Sequence, residues 1–469
     1  MSLYFALIIA AIVRFWGIAT RPFDGDEGVI LWQVSQPTLR ESYAAITRDA
    51  HPPFLHLLSW FGIHIFGRSE LGMRFFPALF GVGLVFASYR LALLFLGRRA
   101  ASLAAWLVAL SPYLVFFSRE ARMYAPLAFL CVVALTKLVE KKWWQFTLFA
   151  TAAVYTHYLG LLLIVLALFR RFWKGAAASV ILLLPLLPLA IPQFIGRLHE
   201  AGGTHVAANI KGFINVFYRF GAGRTFLGLE FTPHSYLVWF QHNPLSLLGF
   251  VVTLVVPATL VMIGTIKTIR DRKWRMIWQF IGLSLTLALV STEVGSRAAR
   301  NLSFLAPLYL IVLTVGIAQF KKPYHYVVSA AACAIFVLGI GNQLLIEDKK
   351  PGVPVVVNAI HAAAANHAVV LARGSFLHGE STIFDYYWRR DFHAEAPPDV
   401  VDYFADYHIG NINELKAQSV AAKISELQKT YDTVFYYDFS YSPNDLAQPP
   451  TILGLDKENQ PIALWRIER

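Results

Sequence analysis

The sequence predicts an all-α polytopic membrane domain followed by a small soluble α/β domain. Three observations predict it. Of the 469 residues, 57% are hydrophobic and only 15% charged, whereas a soluble domain carries roughly 25% charged residues. Mostly apolar runs recur as far as residue 345, each long enough, at about 18 residues, to cross a bilayer as a helix. Beyond that point the texture changes to polar loops, strand-like runs and one helical stretch.

In chain order, residues 1–20 form the first apolar run. No A-x-A-like cleavage site lies between this run and the acidic cluster after it, so the run is expected to be a retained span and not a signal peptide. "RPFDGDEGVILWQVSQ" comes next and places Asp24, Asp26 and Glu27 within four positions. The stretch 53–66, "PFLHLLSWFGIHIF", is 14 residues long, below the ~17 at which core-crossing helices begin. With His56, Ser59 and His64 on one helical arc, it is expected to be an interfacial helix at the membrane surface. Further spans are expected at 75–96, 100–117, 121–139, 143–156, 158–169, 176–195, 240–266, 276–293, 301–320 and 325–345. The stretch 143–169 reads either as two short helices broken at "YTHYLG" or as one long tilted helix.

The formal charge is +12. On a soluble protein this would point to nucleic acid. Here the excess sits in short loops: Arg98-Arg99, Lys141-Lys142, Arg170-Arg171-Lys174, Lys267 to Arg275, and Lys321-Lys322. That is the positive-inside pattern, so the charge reports topology and no nucleic acid partner is expected. All five loops share one side only if 143–169 is broken and 53–66 does not cross. The expected topology then has eleven spans, the N-terminus inside, the C-terminus outside, and external regions at 21–74, 118–122 and 196–239. Cys131 and Cys333 lie in apolar runs and read as small core residues, with no disulfide or metal framework. Residues 346–469 carry the strand-like runs "AVVLARG", "TVFYYDF" and "IALWRIE" and the helical "INELKAQSVAAKISELQKTY", a small extracytoplasmic α/β domain.

The external regions hold the candidate chemistry. Carboxylates crowded at a bilayer surface repel each other and are partly desolvated, which suits a general base; Asp24, Asp26 and Glu27 fit that role or a solvated loop that ends a helix. His51, in "DAHPPF", fits a phosphate ligand, a carboxylate partner or a structural residue. "SREARMY" sets Arg119, Glu120 and Arg122 beside Tyr124 at the join of two spans. Charges there are costly unless paired, so the arginines either snorkel to headgroups or grip a phosphate bidentately. Arg297 and Arg300 fall on the side that the charge rule reserves for few cations, and an anionic ligand at the outer face accounts for them most simply. His157 and Tyr158 reach the same face if the helix is broken there. Arg197, Lys211, Arg219 and Arg224 lie in the loop 196–239, without assignable roles.

Carboxylates and arginines above a ring of spans suit a negatively charged amphiphile such as a polyprenyl phosphate sugar. The arginines would hold the phosphate as leaving group, and a carboxylate would deprotonate an acceptor hydroxyl. Two other readings use the same residues: a transporter or flippase for an anionic polyprenyl-linked lipid, and a membrane-anchored binding protein. No internal repeat of the transporter kind stands out.

With these residues in view, the chain resembles the GT-C superfamily of membrane glycosyltransferases, most of all the bacterial branch of protein O-mannosyltransferases and lipid A aminoarabinose transferases. The resemblance rests on "DGDEG", "HPPFLHLL", "LGMRFFPALFG", "SPYLVFFSREARMYAPLAFL", "YTHYLGLLLI" and, more loosely, "RNLSFLAPLYLIVL", and covers about residues 1–345. It implies a GT-C-like fold in the plasma (inner) membrane. It also implies a hexosyl- or pentosyltransferase that moves sugar from a polyprenyl phosphate donor at the outer face, usually with inversion. The acceptor would be lipid, glycan or protein. By that likeness Asp26 is the catalytic base, with Glu27 and Asp24 assisting. Arg122, Arg119, Arg300, Arg297 and His51 would bind the donor phosphate, and Glu120, Tyr124, His157 and Tyr158 the substrate. Aminoarabinose transferases have a lysine where this chain has His51. The oligosaccharyltransferase branch holds a divalent metal with an acidic pair in the second external loop. Here that loop offers only Glu120 between two arginines, so no metal is predicted and no cofactor required.

Overall fold

The computed structural model describes residues 3–47, 51–200, 216–221, 223, 225–226, 229–230, 251–290, 298–345, 348, 352–363, 367–373, 379–392, 397–403, 420–438, 446, 449–455 and 461–468. Every apolar stretch read as a span forms a helix over most of its described residues. These helices are α1 (Leu3–Phe15), α5 (Glu70–Phe95), α6 (Arg98–Leu110) with α7 (Pro112–Ser118), α8 (Tyr124–Val139), α9 (Trp143–Thr156), α10 (Leu161–Phe169) and α11 (Trp173–Ile195). The set continues with α12 (Val256–Thr268), α13 (Arg275–Val290), α14 (Ala306–Ile317) and α15 (Tyr324–Leu345). Between α1 and α5 lie α2 (Gly25–Val34), α3 (Leu39–Ile46) and α4 (Phe54–Phe66).

The expected count of eleven crossings is not reproduced by length. Among the described residues, α5, α11 and α15 are long and apolar enough to cross, and α6 with α7 makes a fourth that bends by 57°. The rest are shorter: α8, at 16 residues, rises about 24 Å against a hydrocarbon core of about 30 Å. The helices still turn large apolar side chains outward, including Phe5, Ile8, Leu79, Phe86, Leu148, Ile181, Ile191 and Leu338. A lipid-embedded bundle requires such a surface.

The bend follows from Pro112, which opens α7 and has no N–H to give the preceding turn. Arg14 of α1, fully buried, serves the carbonyls left over. Its guanidinium donates to Val108 O at 3.2 Å, Ala109 O at 3.0 Å and Ser118 Oγ at 3.3 Å. A cation at the carbonyl end of α6 also complements that helix's dipole.

The stretch 143–169 is two helices and not one. α9 stops at Thr156, His157 is extended, and a 3-10 turn over Tyr158–Gly160 reverses the chain into α10. The reversal is tight enough that a Cβ on Gly160 would lie 2.5 Å from the carbonyl carbon of Ala153. At the far end, Phe146 meets Phe172 at 5.6 Å, and Thr147 Oγ1 donates to Gly175 O at 3.2 Å.

Two of the cationic loops lie at the end of the bundle away from α2. There Glu140 receives Lys137 at 2.9 Å, Lys142 at 3.3 Å and Arg90 at 3.5 Å, while Lys273 Nζ donates to Phe95 O at 3.4 Å. At the α2 end, α4 packs with its polar side inward: His56 and Ser59 are buried, and Leu57, Phe61 and Ile65 face out. His64 departs from the expected arc. It is exposed, and its Nδ1 pairs with Trp60 O instead.

The C-terminal part is a five-stranded mixed sheet. Its strands are β1 (Ala368–Arg373), β2 (Asp399–Tyr403), β3 (Thr433–Asp438), β4 (Thr451–Leu455) and β5 (Pro461–Glu468), in the order β2-β1-β3-β5-β4. β1 runs parallel to β2 and β3; β5 runs antiparallel to β3 and β4. The three strand-like runs of the sequence are β1, β3 and β5. Their side chains alternate as a sheet covered on both faces requires. Val370, Ala372, Phe435, Tyr437, Ile462 and Leu464 share the core of α16 (Val353–Ala362) and α17 (Gly379–Phe392). Val369, Leu371, Val434, Tyr436, Ala463 and Trp465 pack with Val420 and Ile424 of α18 (Val420–Leu427). Of the rest of the expected helical stretch, 412–419 lies outside the described residues and 428–430 is a turn that ends the helix.

Candidate active site

The acidic cluster builds its own helix start. Asp24 is the N-cap of α2: its Oδ1 accepts the Glu27 amide at 3.1 Å, and Glu27 Oε2 accepts the Asp24 amide at 3.3 Å. This reciprocal capping box makes Asp24 and Glu27 scaffold and turns Asp26, between them, away from the pair.

Glu27 is the most heavily bonded group of the site. It is fully buried and accepts from Arg74 Nε at 2.8 Å, Arg74 Nη2 at 2.5 Å, the Ala121 amide at 2.8 Å and Arg21 Nη2 at 3.3 Å. Burial alone would raise its pKa; the charges of Arg74 and Arg21 outweigh it and hold the carboxyl below the ordinary range. Arg74 also donates to the carbonyls of Ile18, Arg21 and Pro22 at 3.0, 2.6 and 3.0 Å, and so pins the segment that leads into α2. Glu27 therefore has its oxygens committed, and the geometry sets it as the anchor of the loop, in place of the reacting role open to it in the sequence.

Asp26 has different company. Its Oδ2 lies 3.1 Å from Arg300 Nη1 and 3.6 Å from Arg122 Nη2, and Arg122 Nη1 reaches the Asp26 carbonyl at 3.4 Å. Arg300 comes from a helical turn over Ala298–Asn301, before α14, and Arg122 from the turn before α8. Tyr124, buried at the head of α8, interacts electrostatically with Arg122, Arg300, Asp26 and Glu120. His157 interacts with Arg122 and His51, whose ring centroid is 5.7 Å from its own. Its Nδ1 accepts the Leu159 amide at 3.1 Å, and packing around the ring, with His51 and Arg122 adding, pushes its pKa well below the usual histidine value. Tyr158 donates to Gln193 Oε1 at 2.6 Å, and Gln193 Nε2 donates in turn to His51 O at 3.3 Å and Ile46 O at 3.4 Å.

Of the residues singled out in the sequence, Asp26, Arg122, Arg300, Tyr124, His51, His157 and Tyr158 thus share one end of the bundle. Arg119 does not join them. It caps α1, donating to the carbonyls of Val13, Arg14, Trp16 and Gly17, and pairs with Asp348 at 2.6 Å. A helix end with orphan carbonyls explains that arginine without a phosphate. Glu120 faces Arg21 at 3.9 Å. Arg297, Lys211 and Arg224, and the side chain of Arg197, lie outside the described residues. Among the described residues no three His, Cys, Asp or Glu side chains converge as a metal centre requires.

Two residues escaped the sequence reading as site residues, Arg74 and Arg21. A signal for Arg74 was there, a cation at the edge of the apolar run 75–96 that needs a partner, but the sequence offers Glu70, four positions away, before Glu27, and only the fold brings Glu27 to it.

Comparison with known proteins bears on the fold. Residues 50–195 match the family model described as dolichyl-phosphate-mannose-protein mannosyltransferase. Comparison with curated proteins gives no match. Among solved structures, ArnT from Cupriavidus metallidurans in the apo state superposes with a TM-score of 0.56 at 14% identity, over 98% of this chain and 97% of that one. The same protein bound to undecaprenyl phosphate gives 0.53, with the same identity and coverage. The Archaeoglobus fulgidus oligosaccharyltransferase tethered to an acceptor peptide containing the NVT sequon gives 0.53 at 13% identity, over 92% of this chain and 68% of that one. At such identities the likeness is one of fold. The chain is a helical membrane protein that shares the fold of ArnT and of the archaeal oligosaccharyltransferase, and its residues 50–195 match the protein mannosyltransferase family model.

Proposed function

We propose that this chain is a glycosyltransferase that moves a sugar from a polyprenyl phosphate donor to an acceptor hydroxyl at the outer face of the plasma membrane, with inversion. The observation that carries the reading is the Asp26 carboxylate facing Arg300 and Arg122 at the end of the bundle, in the first turn of α2, which the Glu27–Arg74 pair anchors. The two guanidinium groups exchange partners when donor arrives. They release Asp26 and take the phosphate, for which the planar guanidinium is well shaped. Asp26 then accepts the proton of the acceptor hydroxyl as its oxygen bonds to the anomeric carbon. The bond from that carbon to the phosphate oxygen breaks, and the electron pair leaves with the polyprenyl phosphate. The charge that develops there is what Arg122 and Arg300 stabilise. His157, held neutral, suits hydrogen bonding to donor without adding charge, and His51 lines the same end. Tyr124, Tyr158 and Glu120 complete the surroundings. No metal is assigned a part.

The test is Asp26→Asn in proteoliposomes supplied with polyprenyl phosphate sugar and a membrane extract as acceptor. Transfer is expected to fall by at least 10²-fold, the low end for loss of a general base, with thermal stability retained. Full transfer by the variant removes Asp26 from the mechanism.

A further inference from the structure

Helix α17 packs along α2, and Gly352, ahead of α16, lies against Pro22; within this contact one group of side chains is polar and buried. Glu70, in the first turn of α5, is 5% exposed. Its carboxylate is met by three side chains of α17: Tyr386 Oη donates at 2.7 Å, Tyr387 Oη at 3.0 Å and Arg390 Nη1 at 3.3 Å. Arg390 also stacks over the Tyr387 ring at 4.5 Å.

The two tyrosines are not equivalent. The fully buried Tyr387 hydroxyl gives its proton to Glu70 and uses a lone pair to accept the Phe23 amide at 2.8 Å. Phe23 immediately precedes Asp24, the N-cap of α2. Tyr386 meets Phe23 only through its ring, at 5.3 Å. The Phe23 ring lies in turn under the Arg74 guanidinium, at 5.1 Å. Arg74 is one helical turn from Glu70 and holds Glu27. A chain of contacts therefore runs from α17 through the Tyr387 hydroxyl to the backbone just before the cap. The hydroxyl is polarised by a carboxylate, which strengthens its hold on the amide.

We infer that Tyr387 is a positioning residue: the C-terminal domain sets the entry angle of α2, and with it the place of the Asp26 carboxylate, through the hydrogen bond from the Phe23 amide to Tyr387. The kinetic consequence rests on the glycosyl-transfer reading above; the structural consequence does not. A misplacement of about 1 Å at a reacting group costs on the order of 10²-fold in rate. Loss of this one bond is therefore expected to act on kcat.

The experiment compares Tyr387→Phe with Tyr386→Phe in the full-length protein in nanodiscs. Each removes one hydroxyl donor to Glu70, so a contact that only glues the domain predicts the same result for both. Positioning predicts a difference. In Tyr387→Phe the amide of Phe23 exchanges hydrogen at least 10-fold faster, read on a peptide spanning 20–28, and kcat falls about 10- to 100-fold with the KM for donor unchanged. In Tyr386→Phe both stay within twofold of wild type. Equal exchange and equal turnover in the two variants overturn the inference. Faster exchange in Tyr387→Phe alone, in a protein that transfers no sugar at all, upholds the positioning of α2 and overturns the functional reading instead.

Discussion

Glu27→Gln is the perturbation that separates scaffold from chemistry in the acidic loop. The change keeps the shape and one acceptor oxygen but removes the charge. In the native structure Glu27 faces Arg74, and both side chains have no solvent exposure. Breaking a buried ion pair from one side costs about 3–5 kcal/mol, because the remaining charge stays buried without compensation. Arg74 retains the carbonyls of Ile18, Arg21 and Pro22, which places the loss near the lower end, about 3 kcal/mol. The new amide N–H groups also face donors, the Ala121 amide and Arg74 Nε on one side or Arg74 Nη2, Arg21 Nη2 and the Asp24 amide on the other, so at least two pairings are lost whichever way the amide turns. The assay is the fraction of monodisperse protein after a temperature ramp in detergent, with transfer measured alongside. Glu27→Gln is expected to lower the midpoint clearly and to lose transfer with it, whereas Asp26→Asn loses transfer alone. The double variant Glu27→Leu with Arg74→Met, apolar on both sides, is expected to regain much of the thermal midpoint. If Glu27→Gln is as stable as wild type and Asp26→Asn is the unstable one, the division of labour between the neighbouring acids is refuted.

Three further outcomes follow from the same geometry. Arg300→Ala should raise the KM for donor by about 10- to 100-fold, the worth of a charge-assisted hydrogen bond of about 1.5–3 kcal/mol, with Arg300→Lys intermediate; steady-state kinetics against donor concentration reads it. Acid should destabilise the protein in two steps. His157 favours its neutral form when folded, so stability is whole above the ordinary histidine value near ~6.5 and declines as pH falls below it. Glu27, held below the ordinary carboxylate range, adds stability that is present above about pH 4.5 and lost as pH drops through its folded value; thermal ramps of wild type and His157→Gln across pH 4–8 separate the first step, which the variant should lack. Gly160→Ala places a Cβ 2.5 Å from the Ala153 carbonyl carbon and should cost about 1–3 kcal/mol as overpacking does, read as a lower midpoint in the same ramp.

The helices were legible because their signal is local. Apolar runs and the polar "YTHYLG" act over a few residues and appear as elements and a break, whereas the bend at Pro112 falls inside a stretch expected as one span. The count of crossings was less legible, because the length of a helix within an apolar run depends on neighbours that let short helices such as α8 and α9 pack. Asp26, Arg122 and Arg300 were found as charges that a membrane boundary makes costly. The sequence could not separate reacting from anchoring charges among them. Glu27 and Asp26 are adjacent and chemically alike, and only the fold turns one towards Arg74 and the other towards Arg300. Arg119 shows the converse: its cost is met by the end of α1, a partner more than a hundred residues away. The contact between Tyr387 and Phe23 spans 364 positions, and no local pattern announces it.

The central claim is tested most directly by mass spectrometry of the lipids that co-purify with Asp26→Asn. A base-deficient enzyme with intact arginines should retain unreacted donor. The account predicts a polyprenyl phosphate sugar bound to Asp26→Asn and lost when Arg122 and Arg300 are both replaced by alanine. Polyprenyl phosphate lipids no more abundant on Asp26→Asn than on the arginine variant would contradict it.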